Sequence, residues 1–213
     1  MKHKLTIFLL AWAALFGAMA SAAVVFSVNV APPPITVFDQ PPCPGDGYIW
    51  MPGYYQYGDY GWYWVPGAWV LPPAANLLWT PGYWALASGA YIWHAGYWGP
   101  QVGFYGGVNY GNGYFGSGFT GGRWEGGAFK HNTAIANVDP RNVHNVYEDR
   151  SVVHSVTGPN HSFNGQGGSP ARPSPQEEAA GRAPHQGPTP AQVSHAQEAH
   201  NNHLAAHGAP RGR

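Results

Sequence analysis

The chain has 213 residues, enough for one domain with tails. Its 30 Gly and 21 Pro argue against a helical core. Its 15% aromatic content, with only 9% charged residues, argues against ordinary disorder. A formal net charge of zero removes the electrostatic attraction that nucleic-acid binding would need.

The first 22 residues read as a secretory signal. Lys2 and Lys4 precede an apolar stretch from Leu5 to Met19, and Ala18-Met19-Ala20 and Ala20-Ser21-Ala22 both fit a small-x-small cleavage site. We place the cut after Ala22. The alternative is an uncleaved anchor, because uncharged residues run on to about Val28, long enough to span a bilayer. Residues 23–46 form a Pro-rich lead-in, with a lone strand candidate at Val24–Val30 and an extended spacer at Pro32-Pro33-Pro34. The single cysteine, Cys43, has no intramolecular partner, so its thiol is either free or in an intermolecular bridge.

Residues 47–98 carry an internal repeat. Trp50-Met51-Pro52-Gly53, Trp64-Val65-Pro66-Gly67, Trp79-Thr80-Pro81-Gly82 and Trp93-His94-Ala95-Gly96 align without gaps, and each is followed by an aromatic at the next position but one: Tyr55, Trp69, Trp84 and Trp98. Pro-Gly at the centre of each unit excludes a helix. Aromatic enrichment and the turn signals Gly58–Gly61, Pro72–Asn76 and Ser88-Gly89 favour strands joined by turns. Proline cannot donate to a ladder. A β-bulge at Pro52-Gly53, Pro66-Gly67, Pro81-Gly82 and Gly96, with Gly left-handed, would resolve that difficulty. The bulge would also place Trp64 with Trp69, Trp79 with Trp84, and Trp93 with Trp98 on one face. These eight rings, Trp50 and Tyr55 included, form either the core or a ligand platform.

Residues 99–122 hold ten Gly among Phe and Tyr, without a charge. They read as loose hairpins closing the sheet or as an adhesive low-complexity segment. Residues 123–160 add strand candidates: a hairpin turning at Gly126-Gly127, then Thr133–Val138, Val143–Tyr147 and Ser151–Val156. His131, His144 and His154 lie there without the paired spacing a metal site needs. From 161 to 213 the composition implies a flexible tail. Ser174-Pro175-Gln176-Glu177 and Thr189-Pro190-Ala191-Gln192 could each start a short helix. The second would gather His200, His203 and His207 on a polar, solvated surface, where weak chelation is the alternative.

The Trp-x-Pro-Gly-Tyr-Trp units resemble those of the YXWGXW repeat-containing proteins, the WXXGXW-repeat, BcpO-related family. Trp98–Gly107, Gly121-Gly122-Arg123-Trp124 and Ala171–Glu178 also look like segments of that group. Ala95 in place of Pro and Ala68 in place of an aromatic depart from it. The resemblance implies a bacterial exported protein and supplies no catalytic residues.

The expectation is therefore an all-β fold, a curled antiparallel β-meander of repeat strands with a disordered or weakly helical C-terminal tail. No catalytic constellation, metal site, cofactor site or small-molecule substrate is evident. Function is expected to be structural or surface interaction in the periplasm, at the outer membrane surface or in the medium, through self-association or envelope polysaccharide. The alternative is a glycan-binding module that uses exposed Trp and Tyr rings.

Overall fold

The computed structural model of the protein describes residues 27–35, 39–153 and 160–208. The signal region lies outside these residues, as do His154 and the end of the Ser151–Val156 segment. β1 (Ser27–Val28) is the described part of the lone strand candidate.

The repeat folds as two long hairpins. In the first, β2 (Ile49–Met51), β3 (Tyr54–Gly58), β4 (Gly61–Val65) and β5 (Ala68–Val70) pair as β3 with β4 around the tip and β2 with β5 at the base. In the second, β6 (Leu78–Thr80), β7 (Tyr83–Ala87), β8 (Ala90–His94) and β9 (Tyr97–Gly99) repeat the plan. Ser88 and Gly89 turn its tip with φ of 52° and 81°, the twist that suits a two-residue hairpin loop. The antiparallel all-β architecture is the one the sequence implies. The single meander resolves into two hairpins, each built from two units, and β1 pairs with β8 at one edge.

The bulges do not form. Met51 faces Ala68 and Tyr54 faces Val65; likewise Thr80 faces Tyr97 and Tyr83 faces His94. Two residues drop out on each arm, and the register is unchanged across the gap. None of Gly53, Gly67, Gly82 and Gly96 has a positive φ. Facing the two breaks across the hairpin resolves the proline difficulty, since no ladder exists where Pro lacks its donor. The break persists with Ala95 in the fourth unit, so proline is not what creates it.

Glycine is required for space. A Cβ on Gly53 would lie 2.8 Å from Trp64 Cε2, and one on Gly67 would lie 2.6 Å from Trp50 Cη2. A Cβ on Gly82 would lie 2.8 Å from Trp93 Cη2, and one on Gly96 would collide with the Trp79 ring. Each repeat indole is therefore seated on the glycine of the opposite arm.

The Gly-rich segment closes the core. β10 (Asn109–Gly111) and β11 (Tyr114–Phe115) form a tight hairpin, and Tyr105, Val108, Tyr110 and Tyr114 are buried beside Ile49, Trp50, Met51, Trp79 and Trp98. Of the two readings of this segment, the structure shows hairpins on the core. β12 (Gly122–Glu125) and β13 (Ala128–Asn132) pair around Gly126-Gly127 as expected. Thr133–Val138 is a turn instead of a strand, because Asn132 caps it: its carbonyl accepts from Ile135 N and Ala136 N, and its side chain from Ala134 N. β14 (Val146–Tyr147) runs parallel to β13. Asp149 then accepts from Ser151 N and starts a 3-10 turn at Arg150–Val152 where a strand was expected.

The C-terminal region is docked and not a loose tail. β15 (Phe163–Asn164) pairs parallel with β7, and Asn164 donates to the carbonyls of Gly106, Ser169 and Ala171. α1 (Pro175–Arg182) starts with the expected Ser174/Glu177 capping box. Gln186 makes two main-chain hydrogen bonds to Trp98, and α2 (Pro190–Gly208) lies against β4. The two helices start where the capping patterns place them, and hydrogen bonds to strand edges, not an apolar helix face, hold the region to the sheet.

Glycine seating predicts an asymmetric cost for methyl groups. Gly82→Ala should lower unfolding free energy by about 1–3 kcal/mol, as overpacking does. Gly187→Ala, which meets nothing within 4 Å, should change it by less than about 0.5 kcal/mol. Urea denaturation of the two variants checks both.

Candidate aromatic binding surface

Directly opposite residues of antiparallel strands share a face, and in this way the two arms of each hairpin join their rings. Trp50 meets Trp69 at 5.3 Å, Tyr55 meets Trp64 at 5.0 Å, Trp79 meets Trp98 at 5.2 Å and Trp84 meets Trp93 at 5.2 Å. The close partners come from opposite arms and not from one unit, as the pairing of Trp64 with Trp69, Trp79 with Trp84 and Trp93 with Trp98 had implied. Trp50, Trp79, Trp84 and Trp98 are buried and belong to the core, whereas Tyr55, Trp64, Trp69 and Trp93 are half-buried.

Part of the half-buried set is consumed where the hairpins meet. Tyr54 stacks on Trp93 with centroids 5.3 Å apart and planes at 18°. Trp62 meets Trp84 edge-on at 4.9 Å, and Trp84 Nε1 donates to Tyr55 O at 2.9 Å. Trp69 Nε1 donates to Pro41 O at 2.8 Å.

Breaking the ladder leaves carbonyls to satisfy. Tyr110 donates its hydroxyl to Gly82 O at 2.7 Å, and Tyr114 donates to Trp79 O at 2.9 Å. Burial pushes both phenols well above the usual tyrosine range. His195 Nε2 lies 2.8 Å from Pro66 O on the first hairpin.

Gln192 anchors α2. It is buried, accepts from Trp98 Nε1 at 2.7 Å and from Thr189 N at 2.8 Å, and directs its amide nitrogen at Met51 Sδ. The capping pattern Thr189–Gln192 identified the helix start, but the same glutamine's role against Trp98 had no sequence signal. Further along α2, His203 stacks on Tyr63 at 4.9 Å and His207 on Tyr60 at 5.1 Å, while His200 lies 5.5 Å from Tyr63. Desolvation and the neighbouring His207 and His200 lower the His203 pKa, with Asp59 opposing. These imidazoles dock the helix on tyrosine rings, a contact between positions 60–63 and 200–207 that local patterns do not announce. Among the described residues, no three His, Cys, Asp or Glu side chains converge as a metal site.

Cys43 is fully buried, with its thiol donating to Gly45 O at 3.2 Å and lying 4.0 Å from His131 Nε2. Burial raises the thiol pKa, and the buried position disfavours the intermolecular bridge. His131 is also buried, and desolvation lowers it to about 4. His144 pairs with Asp46 at 3.0 Å. Asp46 accepts from the Asn145 and His144 backbones, which helps hold it at about 2.

Two cavities adjoin the exposed edge of the first hairpin. One of about 390 Å³ is lined by Asp39, Trp50, Gly53, Trp64, Pro66 and Tyr110, among others. The other, of about 500 Å³, lies toward α2 and includes Tyr63, Trp64, Pro66, Glu198, Asn202 and His203. Trp64 and Pro66 border both. Arginine and lysine line neither.

A family model for the WXXGXW repeat matches the chain in two copies, at residues 45–70 and 78–98. Each copy spans one hairpin, so the repeating structural unit is the pair of Trp-x-x-Gly arms. No curated protein and no solved structure matches the chain.

Two measurements test these contacts. Gln192→Leu leaves the buried Trp98 N–H without its acceptor, so stability should fall by about 1–3 kcal/mol in urea denaturation. For His131, a folded pKa of about 4 lies below the ordinary 6.5, so the unfolded chain binds the proton more readily. Its contribution is complete above pH 6.5 and is lost as pH falls toward 4. Urea midpoints should drop through that window, and His131→Leu should flatten this part of the profile. Asp46 acts in a separate window, from 3.8 down to about 2.

Proposed function

We propose that this chain, which carries the WXXGXW repeat, is an exported, non-enzymatic protein of the bacterial cell envelope that works by contact through its first hairpin. Export is supported by the Lys2/Lys4 leader, its apolar stretch and the small-x-small sites before Ala22. The observation that carries the contact role is the division of the rings: four repeat tryptophans are sealed in the core, while Tyr60 is 54% exposed and Trp64 stays half-buried on the same hairpin. Contiguous apolar surface left outside a filled core marks a contact surface. The hairpins carry one ionisable carboxylate, Asp59, which is too little for acid–base chemistry between two groups.

A glycan-binding mode is the second reading. It is favoured by the half-buried Trp64, which borders two cavities and is not buried under a neighbouring ring.

Full-length protein expressed with a C-terminal tag should lose its first 22 residues and fractionate with the envelope. Mass spectrometry and fractionation check this. An intact N-terminus in the cytosol would overturn the export reading. Light scattering of the purified mature chain then separates self-association, seen as growth in mass with concentration, from contact with another envelope component.

A further inference from the structure

We infer that the two cavities on either side of Trp64 form one binding cleft for an uncharged, linear pyranose chain. This rests on the glycan-binding reading and names its site and ligand class. A pyranose ring presents apolar C–H faces and an equator of hydroxyl groups. It therefore needs an aromatic face to stack on, with hydrogen-bond acceptors and donors beside it.

The cleft supplies each of these. Trp64 is seated over Gly53 and meets Tyr55 edge-on at 66°. No ring of the described residues stacks on it. Its counterpart in the second hairpin, Trp93, is covered by the stacked Tyr54. Trp50 lines the cavity on one side of Trp64; it is 2% exposed, and its indole N–H has no acceptor among the described residues. A buried donor without an acceptor is costly and marks a place for a ligand oxygen. Asp39 borders the same cavity with an exposed carboxylate, and Glu198 borders the other.

The charge pattern selects among polymers. Two carboxylates and no Arg or Lys line the cleft, so an anionic chain would be repelled. A proline-rich peptide could also lie on tryptophan rings. Its prolines have no N–H to donate to Asp39 and Glu198, whereas sugar hydroxyls donate to carboxylates and accept from the indole N–H. Because Trp64 and Pro66 form a ridge shared by both cavities, a linear chain crossing it would occupy both sides.

The mature full-length protein should be titrated with cellotetraose and chitotetraose, their disaccharides, polygalacturonate and decaproline, with indole N–H resonances as the readout. A neutral tetrasaccharide should shift the Trp50 resonance and bind at least about tenfold more tightly than the disaccharide. Polygalacturonate and decaproline should leave that resonance unmoved. Asp39→Asn, an exposed change that leaves the fold intact, should weaken the tetrasaccharide by about tenfold. Trp64→Ala should abolish binding, and Trp64→Phe should retain most of it. Equal affinities for Asp39→Asn, Trp64→Ala and wild type overturn the site, as does a Trp50 shift on adding decaproline. A parallel pulldown on purified cell wall separates the two levels. If wild type and Trp64→Ala are retained alike, the site is wrong and the glycan reading stands. If wild type is not retained and binds no tetrasaccharide, both fall.

Discussion

The seat of an indole ring on a bare glycine Cα is the contact on which this fold depends. It occurs four times, always across a hairpin: Trp50 on Gly67, Trp64 on Gly53, Trp79 on Gly96 and Trp93 on Gly82. A ring can lie against the main chain only where no Cβ intervenes and the ladder has opened to admit it. The facing two-residue breaks provide that opening without altering register. This explains why the unit tolerates Met, Val, Thr or His after the Trp, and Pro or Ala before the Gly. Only the ring and the missing methyl touch. Each sealed tryptophan hides about 150–250 Å² of surface, worth roughly 4–6 kcal/mol at 25 cal/mol per Å². The repeat hairpins have few Leu, Ile and Val, so these rings provide most of their buried apolar surface.

Opening the ladder has a cost that the rest of the chain offsets. Carbonyls at and beside the breaks need donors, and these arrive from far along the sequence: Tyr110 for Gly82, Tyr114 for Trp79, and His195 for Pro66. The Gly-rich segment is thus bound to the hairpins by function as well as by burial. Its glycines let a thin backbone follow the core surface closely, and its tyrosines reach into it. The same logic explains α2, a helix without an apolar face. Gln192 meets the indole N–H of Trp98, and imidazoles stack on Tyr60 and Tyr63. The interface is held by directional contacts and retains unfilled space beside it.

What was legible in the sequence follows from range. The repeat, its strand character, the turns at Gly126-Gly127 and Ser88-Gly89 and the Ser174/Glu177 capping box are local patterns, and all are present. The role of Pro-Gly was misread because a single strand offers only one remedy for proline, a bulge. The alternative needs a second break on the facing arm, and that is a property of the pair. Thr133–Val138 has the composition of a strand, yet the Asn132 side chain competed successfully for its backbone. The docking of the C-terminal region was not legible because polar contacts between residues far apart in the chain leave no periodic trace.

Two hairpins built on one plan do not present equal surfaces. In the second, the half-buried Trp93 is stacked by Tyr54 where the hairpins pack, and its glycine partner carries a carbonyl capped by Tyr110. In the first, the equivalent Trp64 has no such cover, because the neighbour on that side is the polar helix α2, which meets Pro66 through His195 and leaves a cavity at the ring. The asymmetry comes from order along the chain. The second hairpin is covered by the first hairpin and the Gly-rich segment, so the ring left over belongs to the first. Replacing α2 by an apolar helix would cover Trp64 as Tyr54 covers Trp93, and a core would result in place of a cleft. The polarity of α2, which makes it a poor helix by sequence, is what keeps that ring accessible.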